Sequence, residues 1–151
     1  MELEEKIIES AKEIFSTMIM MEIEVSRETP GTHQALQDSI SGIIGLAGKR
    51  KGVLAIHLPK EVAMAITGSF LGMEVEEINE DVEDAVGELA NMLGGNVKTI
   101  LSERGRDIEL SMPSTISGKH YEFQSTKDAE RIAIPFICEA GKFSVELQLE
   151  K

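Results

Sequence analysis

Residues 84–96 read DAVGELANMLGGN, and this stretch combines a helix pattern with residues that a helix does not need. Its apolar residues recur at intervals of three and four, which is the period of an amphipathic helix. Gly94 and Gly95 interrupt that composition, and a glycine inside a helix costs about 1 kcal/mol relative to alanine. Glu88 and Asn91 lie close to these glycines in the sequence. We therefore expect this part of the helix to be shaped for a function and not for helix stability.

The helix around this stretch is predicted to run from residue 80 to about residue 103. Asn79 is a good N-cap, and the acidic residues that follow it suit the positive end of the helix dipole. One face is apolar and should pack on the core; it comprises Val82, Ala85, Val86, Leu89, Leu93, Val97 and Ile100. A helix that ends just before Gly94 is the alternative. The apolar face continues beyond Gly94, which favours one continuous helix.

A second stripe lies nearly opposite the apolar face and consists of Asp84, Glu88, Asn91, Gly95 and Lys98. Glu88 and Asn91 are neighbours one turn apart and should point into solvent. Gly95 removes side-chain bulk from the same stripe, so that the backbone of another molecule could approach closely. Periodicity alone favours a simpler interpretation, in which these side chains are merely solvated, because charged residues are mostly exposed for no special reason.

The remaining pattern predicts one α+β domain over residues 1–151, with a mixed, largely antiparallel sheet and long helices packed against it. Helices are expected at residues 2–21 and 60–71, and strands at 38–47, 52–58, 108–112, 129–139 and 142–150. Residues 24–33 are expected to form a loop. The last two strands should form an antiparallel hairpin that turns at Ala140-Gly141.

The composition argues against nucleic acids and membranes as partners and for a cytoplasmic location. The net charge is −12, with 27 acidic and 15 basic residues, and such a surface repels both nucleic acids and anionic membranes. The single cysteine, Cys138, permits no internal disulfide, which suits a reducing compartment. The N-terminus has no basic flank, and no apolar stretch reaches the ~18 residues of a membrane helix. We therefore expect a cytoplasmic protein that binds neither nucleic acid nor membrane.

Residue types that carry other chemistry are present but are not grouped. The histidines, His33, His57 and His120, are neither spaced at i and i+4 nor close to a cysteine, so a zinc site has little support. Cys138 alternates with apolar residues on a strand and is interpreted as a small core residue. No phosphate-binding loop, dinucleotide motif or nucleophile elbow occurs. We expect this chain to bind no cofactor and no metal ion of its own.

The string DAVGELANMLGGNVKTIL, residues 84–101, resembles the active-site helix of the CheC/CheX/FliY family of chemotaxis phosphatases, which dephosphorylate the phosphorylated receiver CheY. In that family an aspartate or serine, a glutamate, an asparagine and a later proline follow at set intervals. Asp84, Glu88 and Asn91 fit the first three positions. Pro113 follows Asn91 after 21 residues, one fewer than the usual spacing. The pattern occurs once and is missing from the other candidate helix, which makes the resemblance closest to the CheX kind.

The resemblance implies a CheX-like fold and a hydrolase that removes the phosphoryl group from a receiver aspartate in a chemotaxis or other two-component circuit. The receiver supplies Mg²⁺ and a lysine, so the phosphatase has to position only the attacking water. An amide can accept a hydrogen bond from water without repelling the phosphoryl oxygens. Asn91 is therefore expected to orient the water, not to act as a general base.

The same resemblance implies the roles of the other stripe residues. Glu88 is expected to contact the active-site lysine of the receiver, and Asp84, Gly95 and Lys98 are expected to belong to the docking surface. Pro113 is expected to have a structural role. Members of the CheX kind form homodimers by joining sheets edge to edge, so a homodimer is expected here. The alternative function is a non-catalytic receiver-binding or scaffold module in a signalling or motility assembly.

Overall fold

The computed structural model describes residues 2–26, 33–102, 107–124 and 129–150, with the side chains of 33–37 and 122–124 excepted. The helical segments are α1 (Glu2–Ile14), which continues as a π-helical turn (Phe15–Ile19), α2 (Lys60–Leu71) and α3 (Glu80–Leu101). The strands are β1 (Glu24–Val25), β2 (His33–Gly48), β3 (Gly52–Pro59), β4 (Ile108–Leu110), β5 (Ser114–Gln124), β6 (Ala129–Cys138) and β7 (Gly141–Glu150). In the described part of the chain, no helix is both long and apolar enough to cross a membrane.

The strands form one sheet in the order β1-β6-β7-β3-β2-β4, and β5 also pairs with β2. Every ladder between described strands is antiparallel. The predicted α+β fold, with a largely antiparallel sheet and helices packed against it, is confirmed. The predicted hairpin of the last two strands is also confirmed, and Gly141 supplies the left-handed backbone of its turn, with φ 144°.

Several element boundaries differ from the sequence-based prediction. Strand β2 begins at His33 because its first residues pair with the distant end of β5, a contact that local periodicity cannot reveal. The first helix leaves α-helical geometry at Phe15 and ends at Ile19, before Met20, whose φ of 62° is left-handed. Glu24 and Val25, expected in a loop, pair with β6. The rest of that predicted loop, residues 27–32, lies outside the described residues.

Helix α3 packs very closely on the middle of β2. A Cβ atom on Gly42 would lie 2.9 Å from both Cγ1 and the carbonyl oxygen of Val86, and 3.1 Å from Cβ of Ala90. The 2.9 Å distance to a backbone oxygen leaves room for glycine alone. Since the helix is this close to the sheet, most of its apolar face is buried, and its opposite face is held at a fixed height above the sheet.

The sheet face away from α3 carries a layer of buried polar side chains. Ser41 and His57 are cross-strand partners on this face, and the Ser41 Oγ lies 2.7 Å from Nδ1 of His57. The hydroxyl of Tyr121 reaches the same Ser41 Oγ at 2.9 Å. Burial raises the pKa of Tyr121, and the hydrogen bond with Ser41, which lowers it, offsets only part of that increase. These bonds tie β2, β3 and β5 together on the sheet face opposite α3.

Glu146 lies at the centre of the same layer and is fully buried. Its Oε1 accepts a hydrogen bond from Nη2 of Arg131 at 3.1 Å, and its Oε2 accepts one from Nε2 of Gln148 at 2.6 Å. Nε2 of His57 lies 3.7 Å from Oε1. A buried carboxylate needs such partners, because an unpaired charge away from water is strongly destabilising.

The free energy of unfolding is expected to depend on Glu146 in acid. Burial would raise the pKa of Glu146, but the side chains of His57, Arg131 and Gln148, together with the charge of Arg131, outweigh burial and lower it below 4.5. A carboxyl group with a lower pKa in the folded state stabilises above its unfolded pKa, and this contribution is lost as the pH falls through the folded pKa. The free energy of unfolding, measured in urea, should therefore fall more steeply below about pH 4.5 for the wild type than for Glu146→Gln. Equal pH dependence of the two proteins would contradict this assignment.

Candidate functional site

Helix α3 carries the candidate site as one continuous element. Oδ1 of Asn79 accepts a hydrogen bond from the backbone N–H of Val82 at 3.1 Å, which confirms the predicted N-cap. The helix ends at Leu101, where the N–H of Ser102 donates to the carbonyl of Lys98. The predicted end near residue 103 is slightly too late, because Ser102 is already extended, with φ −139° and ψ 151°. The alternative in which the helix breaks before Gly94 is wrong, because helical geometry continues through that residue.

The stripe predicted on α3 faces solvent. The side chains of Asp84, Glu88 and Asn91 are exposed, and Gly95 and Lys98 are partly exposed. The residues of the opposite face are buried, apart from Ile100, which is partly buried against the core. This arrangement confirms the predicted orientation of the helix.

The two glycines at the end of the motif have separate structural reasons. A Cβ atom on Gly94 would lie 3.0 Å from Cγ2 of Ile44, so Gly94 allows the helix to approach the sheet. A Cβ atom on Gly95 would meet nothing within 4 Å. No packing requirement within the described chain therefore explains Gly95, whereas one does explain Gly94.

Glu88 and Asn91 are not engaged elsewhere in the described part of the molecule. The ion pairs there involve other residues, and neither side chain has a hydrogen bond to another described residue. Asp84 and the acidic first turn of α3 make the surface near Glu88 negative. The exposed carboxylate of Glu88 can therefore bind a cation, and the neutral amide of Asn91, one turn away, can bind a water molecule.

The segment that links β4 to β5 runs along one side of this stripe. Cδ1 of Leu110 lies 3.6 Å from the Cβ position of Gly94, and Pro113 lies 3.9 Å from the Cβ position of Gly87. The N–H of Ser111 donates to the carbonyl of Gly45 at 2.9 Å, and the N–H of Gly45 donates to Oγ of Ser111 at 2.8 Å. These contacts hold the segment beside the helix and agree with a structural role for Pro113.

The other residues that the sequence singled out lie away from the stripe. His57 is buried in the polar layer, and His120 is exposed on β5. Cys138 is partly buried and packs against the core, as predicted. No cluster of three or more His, Cys, Asp or Glu side chains suited to a metal ion occurs within the described ranges. The predicted strand at 108–112 is too long, because β4 ends at Leu110 and Met112 beyond it is exposed.

The chain matches known proteins over the region that contains the stripe. A family model described as chemotaxis phosphatase CheX matches residues 40–137. The CheY-P phosphatase CheX of Thermotoga maritima is 25% identical over 120 residues, which cover 79% of this chain and 77% of that protein.

Solved structures extend this similarity to almost the whole chain. The chemotaxis protein CheX from Desulfovibrio desulfuricans is 28% identical, with a TM-score of 0.86, over 99% of this chain and 100% of that one. A CheC-like superfamily protein from Shewanella sp. PV-4 is 30% identical, with a TM-score of 0.82, over 100% and 99% of the two chains. Since the family model covers well over half of the residues and the fold agrees throughout, the chain belongs to the CheX family of chemotaxis phosphatases.

Proposed function

We propose that this protein is a phosphatase that hydrolyses the aspartyl phosphate of a CheY-like receiver, with residues 1–151 acting as a single catalytic domain. The observation that carries the proposal is the exposure of Glu88 and Asn91, one turn apart on a continuous helix and unengaged by other described residues. The name of the Thermotoga maritima relative, a CheY-P phosphatase, supports the same substrate class.

Asn91 orients the attacking water in this proposal. Its amide oxygen accepts a hydrogen bond from the water, whose oxygen attacks phosphorus as the bond from phosphorus to the aspartate oxygen breaks. Phosphate and a free receiver carboxylate result, and the water loses a proton to solvent or to phosphate. Because an amide carries no charge, Asn91 can stand close to the phosphoryl oxygens without repelling them.

Glu88 and the rest of the stripe bind the receiver in this proposal. The Glu88 carboxylate pairs with the active-site lysine of the receiver and fixes the register of docking, while Asp84 and Lys98 flank that contact. Mg²⁺ enters with the receiver and offsets the charge of the phosphoryl group. The stripe then positions the receiver and the attacking water, and it binds no metal ion of its own.

The proposal is tested by mixing the purified protein with a phosphorylated receiver and Mg²⁺ and following phosphate release. A catalytic amount should accelerate release well beyond the receiver's own rate. Stable binding of the receiver without faster release would instead identify the non-catalytic module. A panel of receivers should be used, because the stripe does not specify which receiver is the substrate.

Gly95 should limit how closely the receiver can approach α3. Because an added Cβ would meet nothing within 4 Å, Gly95→Ala should raise the free energy of unfolding by about 0.5–1 kcal/mol through helix propensity alone. Gly95→Leu should fold equally well but raise the KM for the receiver. Thermal unfolding and steady-state kinetics on both variants measure the two effects. An unchanged KM in Gly95→Leu would show that the stripe is not approached at this point.

The proposal includes a cytoplasmic homodimer that joins sheets edge to edge. On its outer side, β6 pairs with β1 only near Phe136 and Ile137, so among the described strands its first half has backbone groups to offer. Edge strands of this kind readily pair with another chain. Light scattering of the purified protein measures its mass, and a monomer at all concentrations would exclude this part of the proposal.

A further inference from the structure

Met112 is the most exposed large apolar side chain among the described residues, at 87% of its full accessibility. Single exposed apolar residues are common on protein surfaces and need no explanation by themselves. Two features distinguish Met112 from such residues. It lies beside the stripe that carries Glu88 and Asn91, and its backbone is fixed on both sides.

The position of Met112 follows from the placement of its neighbours. A Cβ atom on Gly94 would lie 3.6 Å from Cδ1 of Leu110, and a Cβ atom on Gly87 would lie 3.9 Å from Pro113. The segment between them therefore runs antiparallel to α3 and passes the turn of the helix that lies between those glycines. Asn91 is in that turn, about 40° around the axis from Gly87 and about 60° from Gly94. Of the stripe residues within that turn, Asn91 lies on the side nearest to the segment.

The backbone around Met112 is held in place before any partner arrives. Ser111 forms two hydrogen bonds with Gly45 of β2, and its Oγ lies 3.1 Å from the carbonyl oxygen of Met112. Pro113 has a restricted φ and packs against the helix at Gly87. On so rigid a backbone, burial of the side chain by a partner costs rotamer freedom but no further ordering of the main chain.

From this geometry we infer that Met112 is an apolar docking contact for the receiver, adjacent to Asn91. The inference rests on the proposed function and adds a residue that the helix motif does not contain. The charged stripe gives register and a favourable encounter, whereas a thioether side chain adapts to an apolar surface and contributes contact area. Met112 thus determines affinity for the receiver and takes no part in positioning the water.

The test compares Met112→Gln with Met20→Gln. Both methionines are highly exposed, at 87% and 79%, and the exchange to glutamine removes apolar character without adding charge. Met20 lies near Ile137 and Cys138 at the β1–β6 edge, whereas Met112 lies at the edge formed by β4 and β5, so Met20→Gln is a matched control. Met112→Gln should raise the KM for the phosphorylated receiver about tenfold with kcat unchanged. Met20→Gln should change neither parameter.

A binding measurement separates this inference from the proposed function. Calorimetry with a receiver that carries a stable phosphoryl analogue and Mg²⁺ gives the Kd independently of hydrolysis. If the wild type binds without hydrolysing and Met112→Gln weakens binding about tenfold, the inference holds and the phosphatase proposal fails. If the wild type hydrolyses normally and Met112→Gln leaves Kd and KM unchanged, or lowers kcat alone, the inference is overturned and the phosphatase proposal stands. If the wild type binds no receiver, both are overturned.

Discussion

Replacing Asn91 by alanine should abolish the acceleration of receiver dephosphorylation while the protein stays folded and still binds the receiver. The side chain is exposed, so its loss should change the free energy of unfolding by no more than about 0.5 kcal/mol. Without the amide oxygen the attacking water is no longer held in line, and misplaced reacting groups lower rates on the order of 100-fold or more. The effect should appear in kcat, because the contact assigned to receiver binding, Glu88, is intact.

Two further variants make the role of Asn91 specific. Asn91→Asp keeps the size of the side chain but adds a charge that repels the phosphoryl oxygens, so this variant should also be inactive. Asn96→Ala removes another amide from the same helix, at a partly exposed position outside the stripe, and should remain fully active. The comparison requires single-turnover rates at saturating enzyme. Substantial activity of Asn91→Ala would remove the assigned role, even if the protein proves to be a phosphatase.

Replacing Gly42 by alanine should destabilise the protein strongly. The new Cβ would lie 2.9 Å from the backbone oxygen of Val86, a distance that real Cβ atoms do not adopt. Helix α3 has to move away from β2, and overpacking of this kind costs about 1–3 kcal/mol. Because α3 carries Glu88 and Asn91, the phosphatase activity should decline with the stability.

Gly118→Ala is the matched control for this prediction. Gly118 lies on β5, which pairs with β2, and its added Cβ would meet only Cδ1 of Tyr121 at an ordinary 3.7 Å. Alanine there should be neutral or slightly stabilising, because glycine weakens a strand interior. Urea unfolding of the two variants measures the difference directly. Equal stabilities would show that the close contact between helix and strand can relax without cost.

Local pattern was sufficient to predict the elements that carry the site. The cap at Asn79, the apolar face of α3 and the orientation of Glu88 and Asn91 follow from the 3.6-residue period and from helix-end chemistry, which act within a few residues. The hairpin of β6 and β7 follows from alternation and from the glycine at its turn. The family motif supplied the functional hypothesis, which periodicity alone did not favour.

The features that could not be predicted depend on residues far apart in the sequence. In the sequence Glu146 alternates with apolar residues, a pattern in which the charged side chain is ordinarily exposed, yet the residue is fully buried. Its environment is created by Arg131 and His57, which lie on two other strands. The early start of β2 depends in the same way on its pairing with β5. Such long-range contacts leave no periodic signal in a single sequence.

The close packing of α3 on β2 has a consequence for how a complex would form. At Gly42 and at Gly94 an added Cβ would lie 3.0 Å or less from the opposite element, so the helix and the strand are packed tightly against each other. We therefore expect a binding partner to meet this surface in its final shape, so that larger rearrangements on association occur in the partner. The association rate constant is then expected to depend on diffusion and charge, and not on a slow conformational change of this protein.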